Sequence, residues 1–205
     1  MADIVVAPNQ VLRLPTKTVK TVDDRLLRII DDLISALKAA ANPQGVGLAA
    51  PQIGISLRLF AIRPTPEDTP QIFINPEIIG KSQRQQSPTA KNGVYEGCLS
   101  LPHFYSPLKR SLSVTVKYQT IPSNISTQIL KKNRAQPDPG NDQGVEHDFS
   151  KIGLITKTET FTGFPAHIIQ HEMDHLNGVL FVDHVLIQNT KLYHIEGKTW
   201  EEINL

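Results

Sequence analysis

One short motif in the chain requires a helix and a shared partner for three polar side chains. Residues 170–178 read Gln-His-Glu-Met-Asp-His-Leu-Asn-Gly and contain the pattern H-E-x-x-H. Positions four apart lie on the same face of a helix, so His171 and His175 can direct imidazole nitrogens at one metal ion. Glu172 then lies close enough to take a proton from water without being a ligand. The motif therefore predicts a metal-binding helix suited to hydrolysing a carbonyl bond.

The residues around the motif predict a buried helix with clear ends. Pro165 suits a first helical turn, and Gly178 is a natural helix stop. Because an unpaired charge is costly to bury, two histidines and a glutamate in a largely apolar helix need a common partner. The alternative is a chance match, with two unrelated histidines on a solvated helix face.

Composition indicates an ordinary globular protein. The 205 residues are enough for one domain with a sizeable core, and 40% are hydrophobic and 20% charged. The net charge is +1, and no basic run indicates a nucleic-acid surface. No apolar stretch approaches the roughly 18–20 residues that span a bilayer, and the first residues resemble no secretory signal or transit peptide. We therefore expect a cytoplasmic protein that binds neither nucleic acid nor membrane.

Hydrophobic periodicity predicts an α+β fold. Residues 21–41 form an amphipathic helix, with Asn42-Pro43 as its stop. The strand candidates are residues 57–63, 71–75, 77–80 and 112–118. Connections between them are too short for crossover helices, so the pairing should be mainly antiparallel. We expect a single domain over residues 1–205, with mainly antiparallel strands packed around a central helix that carries the H-E-x-x-H motif, and with an N-terminal helix.

Two polar stretches interrupt this pattern. Residues 81–93 carry turn residues, and residues 131–149 are richer still in Lys, Asn, Asp, Gln, Pro and Gly. A structureless stretch of about 20 residues is unusual inside a compact domain. We therefore expect a polar inserted loop around residues 121–160. Residues 194–205 predict no element.

Two histidines leave a catalytic metal site one protein ligand short. In one protease class the motif continues to a further histidine, but Phe181 stands at that position and cannot ligate a metal. Downstream, Asp183, His184 and Glu196 are candidates that no spacing distinguishes. Upstream, Cys98 is the only cysteine of the chain, and a thiolate is a strong ligand for zinc or ferrous iron. We favour Cys98.

A third segment places one amide side chain among small residues. Residues 45–54 read Gly-Val-Gly-Leu-Ala-Ala-Pro-Gln-Ile-Gly. They do not form a phosphate loop, because the lysine of that motif is absent. Gln52 can donate a hydrogen bond to a developing oxyanion. The weaker interpretation is a turn that follows the first helix.

Together the three segments resemble the peptide deformylase family. The family's signature motifs have the forms G-x-G-x-A-A-x-Q, E-G-C-x-S and Q-H-E-x-D-H, and here they stand at residues 45–52, 96–100 and 170–175 in the same order. The resemblance covers about residues 5–190. It implies removal of the formyl group from the N-terminal methionine of newly made proteins, with release of formate.

Two other functions compete with this one. A metalloprotease that cleaves internal peptide bonds would need a third ligand downstream of His175 and a dispensable Cys98. A non-catalytic binding protein with the same fold would have lost a ligand or the general base, yet Glu172 and every proposed ligand are present.

The resemblance implies a role for each matching residue at the metal. Cys98, His171 and His175 would bind the ion, which in this family is typically Fe²⁺ in the cell, with Zn²⁺ or Ni²⁺ as substitutes. Glu172 would act as general base toward the attacking water and then as general acid toward the leaving amine. The negative oxygen that forms would be stabilised by two further groups, the side chain of Gln52 and the backbone N–H of Leu99.

The resemblance also implies how N-formyl-methionyl nascent peptides bind. The peptide would add as a strand beside Val46, Gly47 and Gly97. The methionine pocket would be apolar, with Val46, Leu99 and Ile168 as candidates to line it. His167 either narrows and polarises this pocket or faces solvent.

Two further expectations concern Arg110 and the ribosome. Arg110 lies twelve residues after Cys98, as a family arginine does, and we expect it to pair with Glu96 and stiffen the cysteine-bearing turn. We expect a transient ribosome contact as well. The acidic pair Glu201-Glu202 gives no basis for docking through a basic C-terminal helix.

Overall fold

The computed structural model describes residues 2–88, 94–122 and 153–203. This part of the chain contains three α-helices, α1 (Asp24–Ala39), α2 (Phe164–Leu176) and α3 (Phe181–Ile187), and two short 3-10 helices at Gln10–Arg13 and Ala50–Ile53. The strands are β1 (Gly47–Ala49), β2 (Leu59–Ile62), β3 (Gln71–Lys81), β4 (Glu96–Cys98), β5 (Leu101–Ser106), β6 (Ser113–Thr120), β7 (Ile155–Thr162), β8 (Leu192–Glu196) and β9 (Thr199–Ile203). The α+β prediction is confirmed. None of the helices in the described ranges is long and apolar enough to cross a membrane.

The strands form two sheets. Their orders are β1-β2-β3-β6-β7 and β4-β5-β8-β9, and neighbouring strands run antiparallel, as the short connections predict. β1 and β4 are edge strands, since neither has a second neighbour among the described strands. Both edges therefore keep backbone groups available for another chain.

The first sheet is covered on both faces because its side chains alternate between two cores. In β2, Leu59 and Ala61 pack with helix α1, whereas Phe60 and Ile62 pack with helix α2. All four side chains are buried. A strand covered on both faces reads as a continuous apolar run, which is how residues 59–62 appear in the sequence.

Helix α1 begins and ends close to the predicted limits. The side chain of Asp23 accepts a hydrogen bond from the backbone N–H of Leu26 at 2.8 Å, which caps the first turn. Its buried stripe includes the predicted leucines and isoleucines at helical spacing. The apolar face therefore fixes the helix on the sheet.

Helix α2 also has the predicted ends. Pro165 lies in its first turn, and Gly178 follows its last with a φ of +73°. A side chain on Gly178 would overlap the backbone of Arg13, so close approach and backbone conformation both require glycine there. Apolar residues of α2 pack on the first sheet, which leaves His171 and His175 to face strand β4.

Strand β3 corrects the prediction of two separate strands at 71–75 and 77–80. It is one strand with a register shift between Ile74 and Glu77. Asn75 has a φ of +50°, and Pro76 has no backbone N–H to donate. Strands tolerate such residues at a bulge, and this break in the alternation divided the pattern in the sequence.

Two further predictions need correction at the C-terminal side. The inserted loop was expected to reach about residue 160, but Ile155–Thr162 is strand β7, paired with β6; residues 123–152 of that loop lie outside the described residues. No element was expected in residues 194–205, but residues 192–203 form the hairpin β8–β9, which turns at Gly197 with a φ of +60°. The glycine between two short segments was the available signal.

Phe73 tests the packing of the first sheet. Its buried ring lies 4.6 Å from the ring of Phe60 and 4.3 Å from that of Tyr118. We expect Phe73→Ala to lower the free energy of unfolding by about 3–5 kcal/mol, measured by urea denaturation followed by circular dichroism. Ile79→Ala in the same strand, where the side chain is exposed, should change it by less than about 0.5 kcal/mol. Equal effects of the two variants would contradict this account of the core.

Candidate metal centre and its pocket

Three buried side chains from two elements converge on one point. Cys98 comes from β4, and His171 and His175 come from α2. Sγ of Cys98 lies 3.2 Å from Nε2 of His175, and the Nε2 atoms of the two histidines lie 3.2 Å apart. The three ligand atoms all lie within 4.8 Å of one another. One thiolate and two imidazoles form a donor set that suits zinc or ferrous iron, so this cluster fits a metal ion.

The charges in the cluster favour the ligand form of Cys98. Burial raises the pKa of the Cys98 thiol, but the adjacent His175 and His171 more than offset this and bring the pKa to about 5. Burial lowers the pKa of His171, while hydrogen bonds and attraction from Cys98 and Glu96 hold it well above its ordinary value. Cys98 is thus a thiolate at neutral pH, the form that ligates metals.

Glu96 connects the cluster to the guanidinium of Arg110, which lies behind it. Its carboxylate accepts bonds from Nη2 of Arg110 at 2.6 Å and from Nε at 2.8 Å, and Oε1 lies 2.7 Å from Nδ1 of His171. Burial raises the pKa of Glu96, but the bonds from Arg110 and His171 hold it well below its ordinary value. The predicted Arg110–Glu96 pairing is confirmed. It orients His171 with Nε2 toward Cys98, as a carboxylate behind a ligating histidine does.

Glu172 lies beside the cluster with one oxygen unpaired. Its side chain is buried, and Oε2 has no hydrogen-bond partner among the described residues. Burial raises the pKa of Glu172 to about 7. A carboxyl group with this pKa both accepts and donates a proton near neutral pH. A buried, unpaired carboxyl with a raised pKa in a cavity is a candidate acid–base group.

Gly47 makes room for Glu172. A Cβ at this position would overlap the Glu172 carboxylate and would lie 2.6 Å from Cγ2 of Ile168. The first motif therefore needs glycine here for close approach rather than for backbone freedom.

Gln52 is oriented by its own turn. Its Oε1 accepts the backbone N–H of Ala49 at 2.8 Å, while Nε2 lies 3.2 Å from Oγ of Ser100 and 3.5 Å from Sγ of Cys98. Because the carbonyl end is occupied, the amide hydrogens are the part of Gln52 that faces the cluster. This is the orientation that an oxyanion donor needs.

An open cavity of about 200 Å³ leads to the cluster. The predicted substrate residues all line it, and they are Val46, Gly47, Gly97, Leu99 and Ile168. His167 lines it as well and is only 4% exposed, so the solvent-facing interpretation is wrong. Its Nε2 lies 3.0 Å from Oε2 of Glu96 but makes no hydrogen bond of suitable geometry.

The structure also shows what the sequence did not. Val94, Tyr95, Tyr105 and Phe164 line the cavity; the position of Tyr95 and Val94 directly before the E-G-C motif was the one available signal. None of the downstream ligand candidates, Asp183, His184 and Glu196, belongs to the metal-type cluster found among the described residues, and Glu196 ends strand β8. Asp183 pairs with Arg13, and His184 lies 2.8 Å from Asp174.

The fold and the cluster together define a class: a metal-dependent hydrolase with a Cys-His-His site and an adjacent glutamate. Comparison with known families agrees, because the family model for polypeptide deformylase matches residues 1–136 and 145–191. A peptide deformylase of Pseudothermotoga lettingae is 36% identical over 193 residues, which cover 94% of this chain and 86% of that protein. One of Agrobacterium fabrum is 36% identical over 185 residues, covering 89% and 85%.

Solved structures give the same result. The peptide deformylase of Thermotoga maritima is 32% identical with a TM-score of 0.64, covering 90% of this chain and 97% of that one. A peptide deformylase of Acinetobacter baumannii, solved with Met-Ala-Ser bound, is 27% identical with a TM-score of 0.64, covering 90% and 98%. The chain belongs to the peptide deformylase family. It is a metal-dependent hydrolase that removes the N-formyl group from newly made peptides; the comparisons do not support the internal metalloprotease.

Substitution of Arg110 tests the ion pair with Glu96 behind the cluster. We expect Arg110→Ala to destabilise the protein by about 3–5 kcal/mol and to weaken metal retention, because it leaves Glu96 charged and buried without its main partner. Chemical denaturation and metal analysis after dialysis measure the two effects. Arg84→Ala, at an exposed site, serves as the control. Unchanged stability and metal content in Arg110→Ala would contradict the claim that the Arg110–Glu96 pair supports the metal cluster.

Gly47 tests the placement of Glu172. We expect Gly47→Ala to lower kcat by about 100-fold, since a displacement of the carboxylate by about 1 Å has an effect of this order. Metal content, measured by elemental analysis, should stay near the wild-type value because none of the three cluster residues is displaced. Gly80→Ala is the matched strand control, as a Cβ there would meet its nearest atom at an ordinary 3.5 Å. A Gly47→Ala enzyme with wild-type kcat would contradict the close-approach argument.

Proposed function

We propose that Cys98, His171 and His175 hold the metal and that Glu172 carries the proton in deformylation. The observation that carries this proposal is that three ligand atoms lie within 4.8 Å of one another beside a buried carboxyl with an unpaired oxygen. Helix α2 is the central element of this site, because it supplies both histidines and the glutamate and packs on the first sheet.

The metal is proposed to be Fe²⁺ in the cell, with Zn²⁺ or Ni²⁺ as substitutes in preparations. The family resemblance supports iron, and the donor set of one thiolate and two imidazoles is compatible with each ion. When bound, the ion lowers the pKa of a water molecule and polarises the formyl oxygen.

Glu172 handles the proton in both halves of the reaction. Its Oε2 accepts a proton as water oxygen bonds to the formyl carbon. It then donates that proton to the methionine nitrogen as the carbon–nitrogen bond breaks, which yields formate and a free amine. The pKa of about 7 suits a carboxyl group that must gain and then lose a proton in each turnover.

Gln52 and Leu99 stabilise the negative oxygen that forms between these steps. The Gln52 amide is already held toward Cys98, so it loses little freedom when it donates. Leu99 directly follows Cys98 and lines the same cavity, which supports its backbone N–H as the second donor. A preorganised pair of donors of this kind favours the transition state over the substrate.

The peptide is proposed to lie between the edges of β1 and β4. The carbonyl of Val46 is occupied by the N–H of Arg63 at 2.7 Å, so Gly47 and Gly97 supply most of the backbone contact. Strand addition tolerates any sequence, whereas the apolar wall of Val46, Leu99 and Ile168 selects methionine. The A. baumannii deformylase was solved with Met-Ala-Ser bound, which supports a peptide ligand that begins with methionine. The cytoplasmic location and the ribosome contact stay predictions.

Formate release from a formyl-Met peptide tests the assignments. With protein prepared anaerobically and loaded with Fe²⁺, we expect Glu172→Ala to lower kcat by about 10²–10⁴-fold with its metal retained. Cys98→Ser should lose metal during dialysis. No formate from folded, metal-loaded wild type would contradict the function.

Each variant also separates one role from another. Metal retention equal to wild type in Cys98→Ser would remove Cys98 from the ligand set, and loss of metal in Glu172→Ala would make Glu172 a ligand rather than a proton carrier. Glu67→Ala, at an exposed site, is a matched acidic control that should leave both quantities unchanged.

A further inference from the structure

The second sheet has two unlike faces. One face packs Cys98, Phe104 and Leu192 against helix α3. Side chains alternate along a strand, and the strand register therefore places Gly97, Tyr105, Tyr193 and Trp200 together on the opposite face. The hydrophobic cluster between this sheet and helix α3 is formed by the first face alone. The aromatic side chains of the second face are therefore not part of that cluster.

Trp200 lies at the centre of an aromatic cluster on this face. Its ring centroid is 5.3 Å from that of Tyr95, 6.1 Å from that of Tyr105 and 5.8 Å from that of Tyr193. Trp200 is nevertheless 50% exposed and Tyr95 36% exposed. We call these four residues the aromatic platform. Exposed aromatic surface of this kind marks a contact site for a partner or ligand.

The platform is continuous with the catalytic cavity. Tyr95 and Tyr105 line the same space as Cys98 and His171. The Tyr105 ring covers Gly97, where a Cβ would lie 2.6 Å from the ring. The platform thus begins over Gly97, the residue before a proposed metal ligand, and runs outward to β9 at the sheet edge.

We propose that the aromatic platform binds the second or third residue of the peptide substrate and selects an aromatic side chain there. The proposal rests on the proposed function, which places the formyl end at the Cys98 cluster. An extended peptide advances roughly 3.3–3.6 Å per residue, so the residues after methionine leave the cavity beside Tyr105 and Tyr95. Trp200 extends the contact and fixes both rings.

The charges at the margin favour an uncharged aromatic side chain. Glu202 lies on the platform face and pairs with Nζ of Lys191 at 2.7 Å, so each charge offsets the other. The platform touches substrate but not the reacting atoms. It therefore acts on specificity, through KM rather than kcat.

The test compares three substrates, formyl-Met-Ala-Ser, formyl-Met-Phe-Ser and formyl-Met-Ala-Phe. For the wild type we expect kcat/KM to be about fivefold higher for one of the two Phe peptides, mostly through a lower KM. Trp200→Ala should lose this preference, so that kcat/KM falls more for the preferred Phe peptide than for formyl-Met-Ala-Ser. Ile187→Ala removes an exposed apolar side chain on α3 and should keep the preference. Equal kcat/KM for all three peptides in the wild type, or a preference that survives Trp200→Ala, would overturn the proposal.

Trp200 itself provides a measurement that needs no variant, because it is the only tryptophan of the chain. Unformylated Met-Phe-Ser or Met-Ala-Phe should shift or quench the wild-type emission, and Met-Ala-Ser should do so much less. Unchanged emission with both Phe peptides at saturating concentration would refute the platform contact. If wild type releases no formate from any substrate, the proposed function fails, while the emission titration still tests the platform by itself.

Discussion

The buried carboxylate of Glu96 holds the site together. At 3% exposure its charge is tolerable only because Arg110 binds both oxygens and His171 binds one of them. Arg110 also reaches Asp174 on α2 at 2.7 Å, so one guanidinium joins β4 to the helix. This network fixes the distance between Cys98 and the histidines, which is the property that a metal cluster depends on.

Helix α2 contacts both sheets. Its apolar side packs against the first sheet, and its polar side meets β4 of the second sheet. The arrangement leaves the edges of β1 and β4 beside the same cavity, which suits a peptide held by backbone hydrogen bonds. Gly47 and Gly97 are the points where side chains are omitted so that Glu172 and Tyr105 can approach.

The sequence predicted the two long helices α1 and α2 but not the short helix α3, and it predicted the strands only in part. Helix α2 has strong end signals and spans several turns, so its limits at Phe164 and Leu176 follow from local chemistry. Strand β3 was divided because Asn75 and Pro76 break its alternation at a bulge. The hairpin β8–β9 was missed because each strand has five residues of mixed polarity, too few to establish a period.

By itself, the sequence determined the donor types and the i, i+4 pairing of His171 and His175, because helix geometry alone brings those two together. It also favoured Cys98 over the downstream candidates. Only the tertiary structure decided that Cys98 lies 3.2 Å from His175 and that Glu172 is buried with an oxygen that has no partner among the described residues. It also decided that the ring of Trp200 lies 5.3 Å from that of Tyr95, which lines the cavity. These facts depend on contacts between segments far apart in the chain, and burial and pKa arise from such contacts rather than from any local pattern.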